Sequence, residues 1–356
     1  MMKPFNPKIV LFACFSLILS LTGCDRDISI ESSVKDDGSI DRTIELYDVD
    51  SSKALQNIFN VNEANGWETV ISPVEVAGIE GKRKSTQKIT FRKHFASVDD
   101  ANKEMSGDAD TIFHIRSSFE KKNGWFYTEL EYSDTYLSLN RFRSLPQEDY
   151  FTREDYAFIE RLPAEGKRIS KADSLQLAML NQKIFDVYGA RTIFEELFNN
   201  MLAIMRKYQV DRKWEDSLFL KKEHIFQKFS QDGNNENDHI SSMAHILKMP
   251  LPPGAEEEFQ QKAKQVERRI ELLSDAYSGK FRHAITVPWT VANTNADSVN
   301  NNTLYWNPPV IKFLLQDYTM TARARKMNVW MVVIAATVLL STLILFFARR
   351  GKLVGR

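Results

Sequence analysis

A run of 20 uncharged residues near the C-terminus constrains this chain more than any other feature. Val329–Ala348 contains apolar residues, one serine and two threonines, and a helix needs about 20 such residues to cross the hydrocarbon core of a bilayer. A helix buried in a protein core is the alternative, but such helices are rarely apolar on every face. Trp330 lies where indole rings favour the membrane interface, and four basic residues follow the run. The sequence therefore predicts a transmembrane helix over 329–348 and a tail over 349–356.

The N-terminus has the layout of a secretory signal peptide. Lys3 and Lys8 precede the apolar run Ile9–Ser20, which is short for a membrane span. Leu21-Thr22-Gly23-Cys24 follows and resembles the lipobox of bacterial lipoproteins. That resemblance implies removal of residues 1–23 and attachment of diacylglyceryl and a fatty acid such as palmitate to Cys24. An uncleaved N-terminal helix is the alternative.

The two predicted anchors together define a topology. Export places Cys24 outside the cytoplasm, so the later span must end with a cytoplasmic C-terminus, in agreement with the basic tail. A transmembrane helix of this kind belongs in the cytoplasmic (inner) membrane, so we expect the lipid on Cys24 in the outer leaflet of the same membrane. Asp25 resembles the inner-membrane retention signal of enterobacterial lipoproteins, which points the same way.

Cysteine content and charge restrict the exported body. The chain has two cysteines, and Cys14 lies in the predicted signal peptide. We therefore expect no intramolecular disulfide, and the fold must depend on core burial. The whole chain has 47 basic and 47 acidic residues, but the segment between Cys24 and the transmembrane run has six more acidic than basic ones. Because a nucleic-acid partner would need a basic face, we do not expect one.

Alternating apolar residues predict strands at both ends of the body. Asp36-Asp37-Gly38 separates two alternating runs and favours a hairpin with a type I′ turn. Asn123-Gly124 predicts a second hairpin in the same way. The runs around these turns are Ile28, Ile30, Val34 and Ile40, Ile44, Leu46, then Phe113, Ile115, Phe119 and Phe126, Leu130, Tyr132. Further strands are predicted around Ile89–Phe95, His283–Val287, Thr303–Trp306 and Leu314–Arg325.

The middle of the chain is predicted to be helical. Apolar spacings of three and four run over Leu177–Val187 and, after a break at Gly189, over Phe194–Met205. The other predicted helices are Trp214–Phe229, Ile240–Leu247 and Glu256–Tyr277, with loops at Asp232–Asp238 and Pro250–Gly254. Short helices are predicted over Ser52–Glu63 and Val98–Met105, the second with Ser97 and Asp100 as a capping box.

These elements predict an α+β fold in which an antiparallel sheet is built from both ends of the exported body. The predicted segments are 1–23 signal peptide, 24–149 β-rich half, 150–279 helical insertion, 280–326 returning strands, 329–348 transmembrane helix and 349–356 cytoplasmic tail. Two independent domains in series are the alternative. Since both tethers are short, we expect the sheet to lie close to the bilayer.

Four local features lie near the two ends of the body. They are the Asp37-Gly38-Ser39 hairpin after Cys24, Val287-Pro288-Trp289-Thr290-Val291, Asn293-Thr294-Asn295-Ala296 and Asn302-Thr303-Leu304-Tyr305-Trp306. Together they resemble the LppM-type lipoprotein domain. Trp289 stands where that family has glycine, and the helical insertion has no counterpart in it. The resemblance implies an envelope domain with lipid binding as a suggested role and with no catalytic residues to transfer.

Motifs for catalysis or metal binding are absent from the sequence. The six histidines are His94, His114, His224, His239, His245 and His283, and none forms an i, i+4 pair. The segment Asp232–His239 is superficially like a calcium loop, but its glycine is at the second position and Met243 stands at the twelfth. Glycine-rich phosphate loops and serine-nucleophile elbows do not occur. We expect no metal site and no cofactor.

Two hypotheses for function follow. The first is a non-catalytic binding or structural role in the cell envelope, with an unidentified protein or lipid as partner. The second is an envelope hydrolase or transferase whose active site has no recognisable motif. The charged helix around Glu256–Glu271 is either a solvated face or an arm that binds a partner.

Overall fold

The computed structural model describes residues 26–47, 58–77, 83–107, 109–232 and 252–354. The predicted signal peptide, Cys24 and the predicted helix Ile240–Leu247 lie outside these ranges. The division of the chain into the predicted segments is not tested by the fold and stays a prediction.

Eleven strands lie within the described ranges. They are β1 (Arg26–Val34), β2 (Ile40–Tyr47), β3 (Glu68–Ala77), β4 (Arg83–Phe95), β5 (Ile115–Asn123), β6 (Tyr127–Tyr136), β7 (Gly279–Thr286), β8 (Thr290–Thr294), β9 (Ser298–Asn300), β10 (Thr303–Trp306) and β11 (Tyr318–Met327). All strands predicted from alternation are present, and β3, β8 and β9 were not predicted.

The described α-helices follow the predicted helical block, with α1 before it and α7 after it. They are α1 (Val98–Met105), α2 (Arg153–Arg161), α3 (Lys171–Gln182), α4 (Ala190–Lys207), α5 (Arg212–Asp232), α6 (Pro253–Tyr277) and α7 (Val329–Val354). Short 3-10 helices cover Glu63–Asn65, Gln147–Asp149 and Val310–Phe313. Within α7, Val329–Phe347 has a mean hydropathy of 2.6 and is long and apolar enough to cross a membrane.

The strands form two sheets, which confirms the α+β prediction. The larger sheet has the order β3-β4-β2-β1-β7-β10-β9, and the smaller has the order β5-β6-β11-β8. Both ends of the body contribute to each sheet, as predicted. The larger sheet is mixed, because β1 pairs in parallel with β7 from Arg26 opposite Gly279 to Ser33 opposite Thr286. A parallel pair needs a long crossover, and the helical insertion lies in that connection.

The first hairpin forms with a different turn from the one predicted. Val34 pairs with Ile40, so the loop has five residues and only Gly38 has a positive φ, of 91°. The Asp37 carboxylate accepts hydrogen bonds from the backbone and the hydroxyl of Ser39. In these bonds the Asp37 side chain takes the place of a backbone acceptor. They therefore favour the longer loop over the two-residue type I′ turn.

Three helix boundaries differ from the predictions. Gly189 does not break the helix, because a π-helical stretch over Lys183–Gly189 joins α3 to α4. Helix α6 begins at Pro253, since proline suits the first turn of a helix. Of the helix predicted over Ser52–Glu63, the described residues 58–62 are not helical.

The cap of α1 agrees with its prediction in part. The Ser97 side chain accepts a hydrogen bond from the backbone N–H of Asp100. The Asp100 carboxylate accepts from the Ser97 hydroxyl at 2.8 Å, whereas a capping box would have it accept from the Ser97 backbone.

Aromatic rings join the two sheets in one core. The Phe113 ring lies 5.0 Å from that of Tyr136 on β6 and 5.1 Å from that of Phe281 on β7. Phe313 packs edge-on against Phe281 at 5.0 Å. Such pairs bury large apolar surfaces between the sheets. A second core lies among α4, α5 and α6, around residues such as Phe194, Phe198 and Phe259.

We predict that Gly38→Ala destabilises the protein more than Gly166→Ala. Both glycines have positive φ, of 91° and 78°, which costs an L-residue about 1–2 kcal/mol. A Cβ at Gly38 would also lie 3.1 Å from the Phe119 ring, whereas a Cβ at Gly166 meets no atom within 4 Å. Urea unfolding in detergent should show the extra loss, of about 1 kcal/mol. Equal midpoints would mean that Phe119 moves aside at no cost.

Candidate functional site

Polar side chains interrupt the core-facing pattern of five strands. Each lies between apolar or aromatic neighbours at i−2 and i+2, where alternation would predict another apolar residue. The five are Ser32 on β1, Arg42 on β2, Ser117 on β5, Asp134 on β6 and His283 on β7, and all are buried. They meet in the space between the two sheets, and we call them, with Tyr132 and Tyr136, the buried polar cluster.

The Asp134 carboxylate is the centre of the buried polar cluster. Its Oδ1 accepts hydrogen bonds from Arg42 Nη2 at 2.7 Å, from the Ser117 hydroxyl at 2.6 Å and from the Tyr132 hydroxyl at 2.8 Å. Its Oδ2 accepts from the Ser32 hydroxyl at 2.7 Å. The strands explain this convergence, because Ser32 lies directly opposite Arg42, and Ser117 directly opposite Asp134.

His283 adds a second chain of hydrogen bonds to the same carboxylate. Its Nε2 lies 2.9 Å from Asp134 Oδ2, and its Nδ1 lies 2.9 Å from the Tyr136 hydroxyl. A carboxylate can only accept, so we assign the proton to Nε2. Nδ1 then accepts from Tyr136. The result is a neutral imidazole with both nitrogens hydrogen-bonded.

Charges in the buried polar cluster shift pKa values. Burial acts to raise the pKa of Asp134, but the Arg42 guanidinium and the bonds from His283 and Ser117 lower it well below its ordinary value. Burial lowers the pKa of His283, and the Asp134 carboxylate opposes this only partly. Burial and the nearby carboxylate raise the pKa of Tyr136. At neutral pH the cluster therefore holds one ion pair, a neutral imidazole and neutral phenols.

Burial determines what the cluster can do chemically. The order carboxylate, imidazole and hydroxyl resembles a proton relay, but the side chains of Arg42, Asp134 and His283 are all fully buried. Aromatic rings enclose Tyr136, with Phe313 at 5.2 Å and Phe281 at 6.0 Å. A substrate has no approach to these atoms. The buried polar cluster instead holds the two sheets together.

The structure gives different surroundings to the histidines noted in the sequence. His114 is buried, its Nε2 lies 2.9 Å from the Ala109 carbonyl, and burial lowers its pKa. His94 is exposed and pairs with Asp41 at 2.7 Å. His224 is exposed on α5, and His239 and His245 lie outside the described residues. Within the described ranges, no group of three or more His, Cys, Asp or Glu is arranged to hold a metal ion.

A second notable feature is the junction between β11 and α7. Asn328 is the one residue between them, and it is bonded to the loop that joins β5 to β6. Its backbone N–H donates to the Phe126 carbonyl at 2.8 Å, and its Nδ2 donates to the Gly124 carbonyl at 2.8 Å. Its Oδ1 accepts from the Thr128 hydroxyl at 3.0 Å. The tip of this hairpin is thus fixed to the start of α7.

The two ends of the body lie at opposite ends of β1. Beyond the last residues of β1, Lys326 and Lys121 both contact Asp36, so this end is next to the junction. Arg26 begins β1 at the other end, eight residue steps or about 26 Å away. The first described strand begins at Arg26 and the last ends at Met327, so the described ends of the body lie at opposite ends of β1.

Comparisons with known proteins give little further information. No protein-family model matches the chain, and no curated protein matches it. A solved structure to which it is similar is the NMR structure of the folded domain of the Mycobacterium tuberculosis LppM protein. The identity is 8%, the match covers 85% of this chain and 91% of that chain, and the TM-score is 0.26. A similarity of this size carries no argument about function.

We predict that Asp134→Asn destabilises the protein by about 3–5 kcal/mol, because it leaves the buried Arg42 charge without its counter-ion. Nε and Nη1 of Arg42 already lack hydrogen-bond partners within the described residues. The matched control is Glu131→Gln on the same strand, which removes the exposed pair with Arg323 and should cost less than about 1 kcal/mol. Urea unfolding measures both. Similar losses of stability in the two variants would contradict the interpretation that Asp134 holds the two sheets together.

We also predict that stability falls as the pH decreases from 7 to 5. The pKa of His283 is lowered in the folded state. As the pH falls, this imidazole is therefore protonated first in the unfolded chain, from about pH 6.5 downward. The loss from this residue approaches about 1.4 kcal/mol per pH unit. The low pKa of Asp134 adds a further loss below about pH 4.

His283→Gln tests this pH dependence. The variant should be less stable at pH 7 but should lose less stability between pH 7 and 5, since glutamine keeps a donor for Asp134 and does not titrate. His224→Asn removes an imidazole at an exposed site and serves as the control. Unfolding midpoints across this pH range decide the matter, and an unchanged slope in His283→Gln would contradict the prediction.

Proposed function

We propose that the protein is a lipoprotein of the cell envelope whose extracytoplasmic body has a non-catalytic binding or structural role. The body is held to the inner membrane by lipid on Cys24 and by α7, with the C-terminus in the cytoplasm. The observation that carries the proposal is α7 itself. Only 6% of Val329–Phe347 is buried, so nearly all of its apolar side chains lie outside the protein core and suit a bilayer.

Residues flanking α7 support a spanning helix. Trp330 is 63% exposed at the first turn, where the aromatic belt of a membrane protein lies. Helix α7 continues beyond the apolar stretch through Arg349 and Arg350, whose charges suit the cytoplasmic side.

The start of β1 supports a lipid anchor close to the body. Only Asp25 separates Cys24 from Arg26, and two extended residues reach about 7 Å. The acylated residue would lie against the folded domain, at the end of β1 away from Asn328. If both anchors enter one bilayer, β1 must lie nearly parallel to the membrane surface.

A binding role is supported by apolar side chains exposed on the helical block. Leu175 and Met179 lie one turn apart on α3 and are 65% and 63% exposed, and Leu220 on α5 is 87% exposed. Leu175 and Met179 are neighbours on one face of α3, and neighbouring exposed apolar groups can form part of a surface that contacts another protein or a membrane. Catalysis would need converging ionisable groups within reach of a substrate, and the convergence around Asp134 is enclosed.

We predict that Cys24→Ala abolishes labelling of the protein by radioactive palmitate, because the acylated sulfur is lost. Cys14→Ala is the matched control and should keep full labelling, since residue 14 lies in the discarded segment. Labelling that persists in Cys24→Ala would contradict the lipoprotein assignment.

The helical anchor needs a separate test, because Cys24→Ala can also retain its signal peptide. We therefore replace residues 1–24 with the cleavable signal of a soluble periplasmic protein, with and without residues 329–356. The longer chain should resist extraction of membranes by alkaline carbonate, and the shorter chain should be released. Release of both chains would contradict membrane anchoring by α7.

A further inference from the structure

Three consecutive aromatic residues form the tip of the β5–β6 hairpin. Trp125 is 78% exposed, Phe126 47% and Tyr127 43%. Alternation in a strand would turn one of two neighbouring side chains inward, but here all three rings reach the surface. Exposing so much apolar area in water is unfavourable, so the three rings are more stable in an apolar or interfacial environment.

The position of the tip identifies that environment. Asn328 is bonded to the carbonyl groups of Gly124 and Phe126 and is followed directly by Val329, the first residue of α7. Trp330 lies two residues after Asn328, which is about 3 Å along a helix axis. The hairpin tip and Trp330 are therefore at nearly the same level along α7. A bilayer that surrounds α7 has its interface at this level.

The chemistry around the tip suits lipid headgroups. The Arg325 guanidinium lies 5.2 Å from the centre of the Tyr127 ring, and Lys326 lies 4.5 Å from the centre of the Trp289 ring. Cations next to aromatic rings match an interface in which phosphates lie above the acyl chains. An aqueous protein partner would have to approach this loop through the same headgroup layer.

We propose that the Trp125-Phe126-Tyr127 tip inserts into the interface of the bilayer that α7 spans. The tip is then a second membrane contact, and it fixes the tilt of the body relative to the helix. This inference rests on the proposed function, because it requires α7 to be in a membrane.

Quenching of tryptophan emission by brominated lipid tests the proposal. The full-length protein is reconstituted into vesicles of phosphatidylcholine and phosphatidylglycerol, with and without phosphatidylcholine brominated near the top of its acyl chains. The variants are Trp125→Phe, Trp330→Phe and Trp214→Phe, the last at an exposed tryptophan in the helical block. Phenylalanine keeps an aromatic ring at each position, and circular dichroism checks that each variant is folded.

The expected result is a loss of quenched emission in Trp125→Phe that is clearly larger than the loss in Trp214→Phe. Trp330→Phe should also lose quenched emission, because its indole enters the membrane with α7. If Trp330→Phe loses quenched emission and Trp125→Phe does not, α7 is inserted and the tip proposal is overturned. A tip that binds a protein in water would give this result. If Trp330→Phe shows no loss either, the proposed function fails first.

Discussion

The ion pair between Arg42 and Asp134 is the interaction on which the rest of the structure depends. Its two charges come from different sheets, and neither can be left without the other in an interior of low dielectric. Satisfying Asp134 takes donors from five strands, and these strands come from both ends of the body. The cluster therefore favours one way for the sheets to face each other, because any other arrangement would leave buried polar groups without partners.

The parallel pairing of β1 with β7 also joins the two ends of the body. Strand β1 is the first described element and β7 follows the whole helical block, so the sheet is complete only when residues about 250 positions apart have met. Loop closure over such a distance carries an entropic cost. Helices α2–α6 lie between β6 and β7 in the chain, and α4, α5 and α6 share a core of their own.

Alternation and helical spacing predicted most of the fold because each depends on neighbouring residues only. The hairpins, α1 and the start of α7 at Val329 are examples. The parallel β1–β7 pair, the division into two sheets and the five-residue loop from Lys35 to Ser39 depend on partners distant in sequence or on side-chain bonds. The buried polar cluster left one kind of signal in the sequence, a polar residue at a core-facing position, such as Arg42 between Ile40 and Ile44. Which side chains it would meet could not be known before the sheets were assembled.

The opposite positions of Arg26 and Asn328 have a mechanical consequence. Tension between the two ends of the body pulls β1 from its first residue and β11 from its last, in opposite directions along the strands. Strand β1 belongs to the larger sheet and β11 to the smaller one. The load therefore crosses from one sheet to the other through the core between them, where Arg42 and Asp134 form a buried ion pair. Within each sheet the hydrogen bonds run across the strands, so a pull along β1 or β11 loads them in shear.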